Sequence, residues 1–120
     1  MSTIKSGESI YITSNILLNT IDISSLSKIP SFYASQNKLS NITWAPQITS
    51  WTTIGLSSNA LPSSEINKIL ALIVAAGQSA HSGTNTSLSL YQTPAAPPTG
   101  QGITDKATIV GWGVVSVSTN

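Results

Sequence analysis

The sequence predicts an α/β fold: a short solenoid of about five parallel strands, with two helices in its C-terminal half. Three observations predict it. First, a pattern of apolar residues and one asparagine recurs at a spacing of 22 residues. It runs Ile10, Ile12, Asn15, Leu17; then Ile29, Phe32, Ala34, Asn37, Leu39; then Trp51, Ile54, Leu56, Asn59, Leu61, with Gly7 heading the first copy. Second, the connecting segments keep step, since Leu26 falls 22 residues before Ile48. Third, Ile66, Ile69, Leu70, Ile73 and Val74 fall at i, i+3, i+4, i+7 and i+8, the single apolar face of a helix. A fixed period of this size marks an array in which each unit buries its apolar face on the next.

The 120 residues are read as one domain in three parts. Residues 1–9 form an N-terminal arm or cap, 10–61 hold the three repeats, and 62–120 form helical coils that cover the last repeat. In the first coil the strand lies near Ser9–Thr13, and alternation puts Ile10 and Ile12 inward and Tyr11 outward. The second coil places Phe32 and Ala34 in and Tyr33 out. The third places Ile54 and Leu56 in and Gly55 out. Parallel stacking sets neighbouring strands about 4.8 Å apart.

After each strand the chain turns and leaves backbone groups facing the interior. A buried amide side chain offers two donors and an acceptor, enough to bond its own turn and the next. Asn15, Asn37 and Asn59 are therefore read as a structural ladder. The outer arcs, Leu18–Lys28 and Ser40–Ser50, carry no helical pattern, and Pro30 and Pro46 discourage one. They are expected to run extended or as short turns, with Ile21, Ile23, Leu26, Ile42, Trp44 and Ile48 pointing into the core.

Beyond Leu61 the pattern changes. Pro62-Ser63-Ser64-Glu65 reads as a helix start with a serine cap, and Gly77 as its stop. Gln78–Thr86 is a polar loop. Ser87–Tyr91 reads as a strand with Leu88 and Leu90 inward. Thr93–Gly100 is a proline-rich connection. Ile103–Val110 is a second, shorter helix, and Trp112 with Val114–Val117 a last strand whose inward register the pattern leaves open.

Composition narrows the function classes. Charged residues are 8% of the chain, against roughly 25% in ordinary domains. The five basic residues are lysines scattered at 5, 28, 38, 68 and 106, whereas phosphate recognition favours clusters, so no nucleic-acid partner is expected. There is no cysteine, which excludes disulfide and thiolate chemistry. No leader pattern opens the chain, and the longest apolar run, Ile69–Ala76, is too short to span a bilayer. The expectation is a protein made in a host cytoplasm with no membrane partner. Two glycosylation-like triplets, at Asn41 and Asn85, carry no weight without a leader.

No catalytic, cofactor-binding or metal-ligating residue is predicted, and the chain is read as not an enzyme. The single histidine, His81, sits in a Ser/Gly/Thr loop and reads as solvated. Glu8, Asp22, Glu65 and Asp105 are dispersed, where a metal needs clustered ligands. Each reads as a capping or solvating carboxylate. Trp44, Trp51 and Trp112 fall within apolar periodicities and read as core. The candidate contact face is the outward column of the strands: Ser9, Ser31 and Thr53; Tyr11 and Tyr33, with Gly55 next; and Thr13, Ser35 and Ser57. Such a face is either a polar sheet surface in water or a flat contact stripe with two stacked tyrosines.

The repeat, L-x-x-L-x-L-x-x-N-x-L, resembles the leucine-rich repeat. The last half is similar to a terminal segment of leucine-rich-repeat-like proteins in bacteriophage and bacterial genomes. There a helix, a short strand, an A-A-P-P/S-G loop, an L/I-T-x-K-x-x-L/I helix and a G-W-x-V strand recur together. Ala95-Ala96-Pro97-Pro98-Thr99-Gly100, Ile103-Thr104-Asp105-Lys106 and Gly111-Trp112-Gly113-Val114 match, while Val110 stands where a basic residue often precedes G-W. The resemblance implies an architecture and partner binding through the strand face, and names no chemistry. With the small chain beginning at Met1, the few charges and the absence of a leader, it leads to the expectation of a virion structural protein. That protein would be a small decoration or cement protein that bridges subunits of the major capsid protein of a bacteriophage head, with a homo-oligomer also open. The competing expectations are a tail-fibre or surface-adhesin module binding glycan or protein through the strand face, and a bacterial interaction protein with no virus involved. The N-terminal strand edge near Ile10–Ile12 is also open to a partner strand unless residues 1–9 cover it.

Overall fold

The computed structural model describes residues 10–12, 18–81, 86–113 and 115–120. Over these the chain is mixed α/β with parallel strands and two α-helices. The elements are β1 (Ile10–Tyr11), β2 (Thr20–Ile23), β3 (Lys28–Tyr33), β4 (Asn41–Trp44), β5 (Ser50–Gly55), α1 (Ser63–Ala76), β6 (Thr86–Ser89), α2 (Gln101–Gly111) and β7 (Val115–Ser118). One sheet has five strands in the order β1-β3-β5-β6-β7, and a second pairs β2 with β4. Every pairing between these strands is parallel.

The strand count corrects the expected five. The arcs expected to run loosely extended hold two further strands that pair with each other. β2 reads TIDI and β4 reads NITW, and each alternates exposed and buried. Ile21 and Ile23 thus join Ile42 and Trp44 in the core. Four residues give too short an alternation for sequence to separate a paired strand from an extended loop.

Register follows the repeat in the large sheet. Ile10 stands opposite Phe32, and Phe32 opposite Ile54, each 22 residues on. The outer pair does not keep that step: Thr20 stands opposite Asn41 and Ile23 opposite Trp44, an offset of 21. The extra residue is taken up in the next turn. Four residues, Ser24–Ser27, separate β2 from β3, whereas five, Ala45–Thr49, separate β4 from β5. Leu26 and Ile48 still both reach the core.

The core is one cluster lined by both sheets and both helices. Phe32, Ile54 and Leu88 come from the large sheet, Ile42 and Trp44 from the small one, Ile66, Ile69, Leu70 and Ile73 from α1, and Ile109 from α2. Phe32 and Trp44 meet edge to face at 6.1 Å and 72° across it. Of the three tryptophans, Trp44 and Trp51 are buried and Trp112 packs half-buried against the cluster.

α1 runs where its apolar face predicts, but its start is not capped by serine. Pro62 is the N-cap residue and makes no side-chain cap bond; its carbonyl accepts from the Glu65 and Ile66 amides at 2.9 and 3.1 Å. Gly77 ends the helix at φ 84°, a left-handed conformation that suits glycine, and its N–H donates to Ile73 and Val74 oxygens. The last strand takes the register left open by the sequence: β7 turns Val115 and Val117 inward and exposes Ser116 and Ser118.

The proline-rich connection is held by one side chain. Asn67 on α1 accepts from the Thr99 amide at 2.9 Å and donates to Thr99 Oγ1 at 2.8 Å. Gly102, in the first turn of α2, lies directly on Asn67, so a Cβ there would collide with the Asn67 amide. Gly102→Ala is expected to cost about 1–2 kcal/mol, because Asn67 must leave Thr99 to make room. Thermal melts of Gly102→Ala and of Gly102→Ala with Asn67→Ala check this. If both melt with the wild type, the contact has no weight.

Candidate functional site

Two sets of side chains follow from the repeat: an internal spine of amides, and the outward face of the large sheet.

The spine is built where each strand of that sheet turns away. Asn37 donates through Nδ2 to the carbonyls of Ile12 at 2.7 Å and Ala34 at 2.9 Å. Asn59, 2% exposed, donates to Ala34 at 2.8 Å and Leu56 at 2.9 Å. Its Oδ1 accepts from the Leu39 amide at 3.1 Å. Each asparagine thus binds its own turn and the preceding one. The Ala34 carbonyl is shared by both, which places Asn37 and Asn59 in one column. Asn15, the first expected rung, lies outside the described residues.

Two further rungs escape the sequence pattern. Gln92 Nε2 donates to Leu56 O and Leu90 O, both at 2.9 Å, and Gln92 Oε1 accepts from the Leu61 amide at 3.2 Å. Asn120 Oδ1 accepts from the Gln92 and Ala96 amides at 2.7 and 3.0 Å, and its Nδ2 donates to Gln92 O at 3.2 Å. The 22-residue step breaks after Asn59, so period alone could not find them. Their signal is an amide just past an inward apolar pair. Asn59 reaches back three residues to Leu56, whereas Gln92 reaches back two to Leu90. Its turn is one residue shorter, and its side chain one methylene longer.

On the outward face, Tyr11 and Tyr33 stack with ring centroids 5.1 Å apart and planes 16° from parallel. Tyr11 is 68% exposed and Tyr33 half-buried. A Cβ on Gly55, the next position, would lie 3.1 Å from Tyr33 Cδ1, so the Tyr33 ring lies over that glycine. Ser31, Ser35 and Ser57 are half-buried on this face. Thr53 is not a surface residue: it is 8% exposed, because β5 is the middle strand of five and walls it on both sides. Ser9 and Thr13 lie outside the described residues, as does the 1–9 arm. The register adds residues the periodicity did not place on the face. Gly55 stands opposite Ser89, and Ser89 opposite Ser118, with Ser87 opposite Ser116.

The carboxylates and the histidine are placed differently from expectation. His81 is not a solvated loop residue. It bridges to Trp51 at the edge of β5, and its ring meets the Trp51 indole at 4.8 Å and 60°. Burial against that indole lowers its pKa from the ordinary value of 6.5, opposed in part by a hydrogen bond with the Thr52 backbone. The folded form therefore binds this proton less tightly than the unfolded chain does. Stability is expected to be level above about pH 7 and to decline as pH falls through 6.5 towards the lower folded value. His81→Asn should remove that decline, as melts across this range will test. Asp105, expected at a helix start, is buried in the middle of α2, where Gln101 donates to it at 3.1 Å. Asp22 accepts from the Ser24 amide at 2.9 Å. Among the described residues no group of three His, Cys, Asp or Glu could hold a metal ion, and no helix is long and apolar enough to cross a membrane.

No protein-family model matches the chain, and no curated protein and no solved structure matches it significantly.

Proposed function

We propose that the protein is a short solenoid of the leucine-rich-repeat kind that acts through its strand face as a non-enzymatic structural protein. Its proposed place is the virion, as a small decoration or cement protein bridging copies of the major capsid protein on a bacteriophage head. One observation carries the binding part of this reading: an exposed tyrosine stacked on a second tyrosine, in a flat, uncharged, hydroxyl-rich sheet face. Paired rings offer wide contact area with little rotamer entropy to lose, which is what interface anchors supply. The solenoid reading draws on the 22-residue register of the large sheet and the shared Ala34 carbonyl of the spine. The virion reading draws on the resemblance of residues 95–114 to phage-borne repeat proteins.

A second reading has its own support. Ser31, Ser35, Ser57 and Ser89 set hydroxyls around the same rings. A ring face beside hydroxyl donors and acceptors suits a sugar as well as a protein, so a tail-fibre or adhesin module binding glycan is the alternative. Copy number separates the two. Mass spectrometry of purified particles is expected to find the chain at a ratio comparable to the capsid subunit. A few copies, confined to the tail, would favour the alternative.

Tyr11→Ala with Tyr33→Ala tests the face itself. Loss of two stacked anchors is expected to weaken binding to capsids by about 2 kcal/mol or more, some thirtyfold in Kd, while the melting temperature shifts little because Tyr11 is exposed. Unchanged capsid binding and unchanged cell binding would remove the strand face from consideration.

A further inference from the structure

The last strand of the large sheet is left open. β7 pairs with β6, and no other described strand joins it. Leu88 stands opposite Val117, and the Leu90 amide donates to Ser118 O at 2.8 Å. In a parallel ladder of this register the backbone groups of Ser116 and Ser118 point at β6. Those of Val115, Val117 and Thr119 point outwards. Natural sheets guard such an edge with a charge, a proline or a bulge. β7 reads VSVS and carries neither charge nor proline.

Apolar side chains border the same edge. Ile103 and Val110 on α2 are 59% and 50% exposed. They flank Lys106 on one helix face, at i, i+3 and i+7. Lys106 reaches past the end of β7, donating from Nζ to Thr119 Oγ1 at 2.8 Å. A bare strand edge and an uncovered apolar stripe therefore share one end of the molecule, with the lysine between them already engaged.

We propose that this end is a homodimer interface in which β7 pairs antiparallel with β7 of a second copy. The two-fold axis passes through Val117. Val117 then stands opposite the partner's Val117, Val115 opposite the partner's Thr119, and Ser116 opposite the partner's Ser118. The outward backbone groups of all three edge residues find partners in this one register. Three features select a second copy over a foreign strand. An antiparallel pair about a two-fold axis is self-complementary, so one segment supplies both halves. The V-S-V-S alternation matches itself on both sides, with valine meeting valine in the core layer and serine meeting serine outside. Any charge on β7 would face its own copy, and there is none. The pairing makes one continuous sheet across the dimer and brings the two Ile103–Val110 stripes together beside the join. It does not depend on what the strand face binds.

The test is sedimentation and light scattering of the whole chain. The wild type is expected at twice the chain mass of 12.5 kDa. Ser116 and Ser118 are exposed, so charges can be placed there without entering the core. Ser116→Lys with Ser118→Lys sets lysine opposite lysine at both pairs, and should weaken the dimer by about tenfold or more. Ser116→Lys with Ser118→Glu sets opposite charges there and should keep it. Val117→Pro removes the outward N–H and should give a monomer, whereas Val117→Ala trims the same side chain, keeps the N–H and should stay dimeric. A wild-type monomer at every concentration overturns the proposal. So does a Lys/Glu pair that dimerises no better than the Lys/Lys pair. Mass that grows without limit overturns it as well, because that is head-to-tail stacking on another edge.

Discussion

Asn59→Leu is expected to destabilise the protein by about 2–4 kcal/mol, although leucine nearly matches asparagine in shape and is the more apolar residue. The reason is what asparagine answers. The Leu39 amide donates to Asn59 Oδ1, and the Ala34 and Leu56 carbonyls accept from Asn59 Nδ2. With leucine in place the Leu39 N–H loses that acceptor in a buried setting, at a cost of roughly 1–3 kcal/mol per unsatisfied group. The two carbonyls fare better, because Asn37 still serves Ala34 and Gln92 still serves Leu56. Asn59→Asp separates the parts. It keeps an acceptor for Leu39 but turns a carboxylate on two carbonyls, so it should be at least as damaging near neutral pH and recover in acid as the carboxyl is protonated. Urea unfolding of both variants reads the effect. Melting of Asn59→Leu with the wild type would mean that the amide spine does not hold the coils together.

Trp51→Ala is expected to cost about 3–5 kcal/mol, at the upper end of what truncating one apolar side chain does. Trp51 is 0% exposed and is the largest fully buried side chain of the chain's described part. It pairs with Ile29 across to β3 and carries His81 on its ring. Removing the indole leaves a void under the turn that follows α1, and the packing around it is too dense to close fully. The same substitution frees His81 from the burial that lowers its pKa, so the decline in stability below pH 6.5 should shrink with it. Denaturant melts at neutral and mildly acidic pH measure both. A loss under about 1 kcal/mol would show that the Gln78–His81 turn collapses into the gap.

These two residues also mark what is legible in the sequence. The apolar period finds the inward positions of β3 and β5 because a period of two along the strand and 22 along the chain agree there. It finds Asn37 and Asn59 because they repeat with the strands. It misses Gln92 and Asn120, whose coils are longer and whose turns differ by a residue. It leaves β2 and β4 as loose arcs because their one-residue shift in offset conceals the pairing. On the outward face the alternation puts Thr53 beside Ser31, but cannot tell that a central strand shelters its side chain. His81 reads as solvated because nothing local announces that the turn after α1 lays it on Trp51.

By itself the sequence determined which side of each strand meets the core, where α1 begins and ends, and that amides recur at the turns of the middle coils. Those are local facts, carried by spacing and by the chemistry of single residue types. Only the tertiary structure decided that the outer arcs pair, that Gln92 and Asn120 extend the spine, and that β7 ends the sheet beside Ile103 and Val110. Each of these depends on which segments are brought side by side from distant parts of the chain, and a parallel register between unequal coils is set by packing, which no single stretch of residues contains.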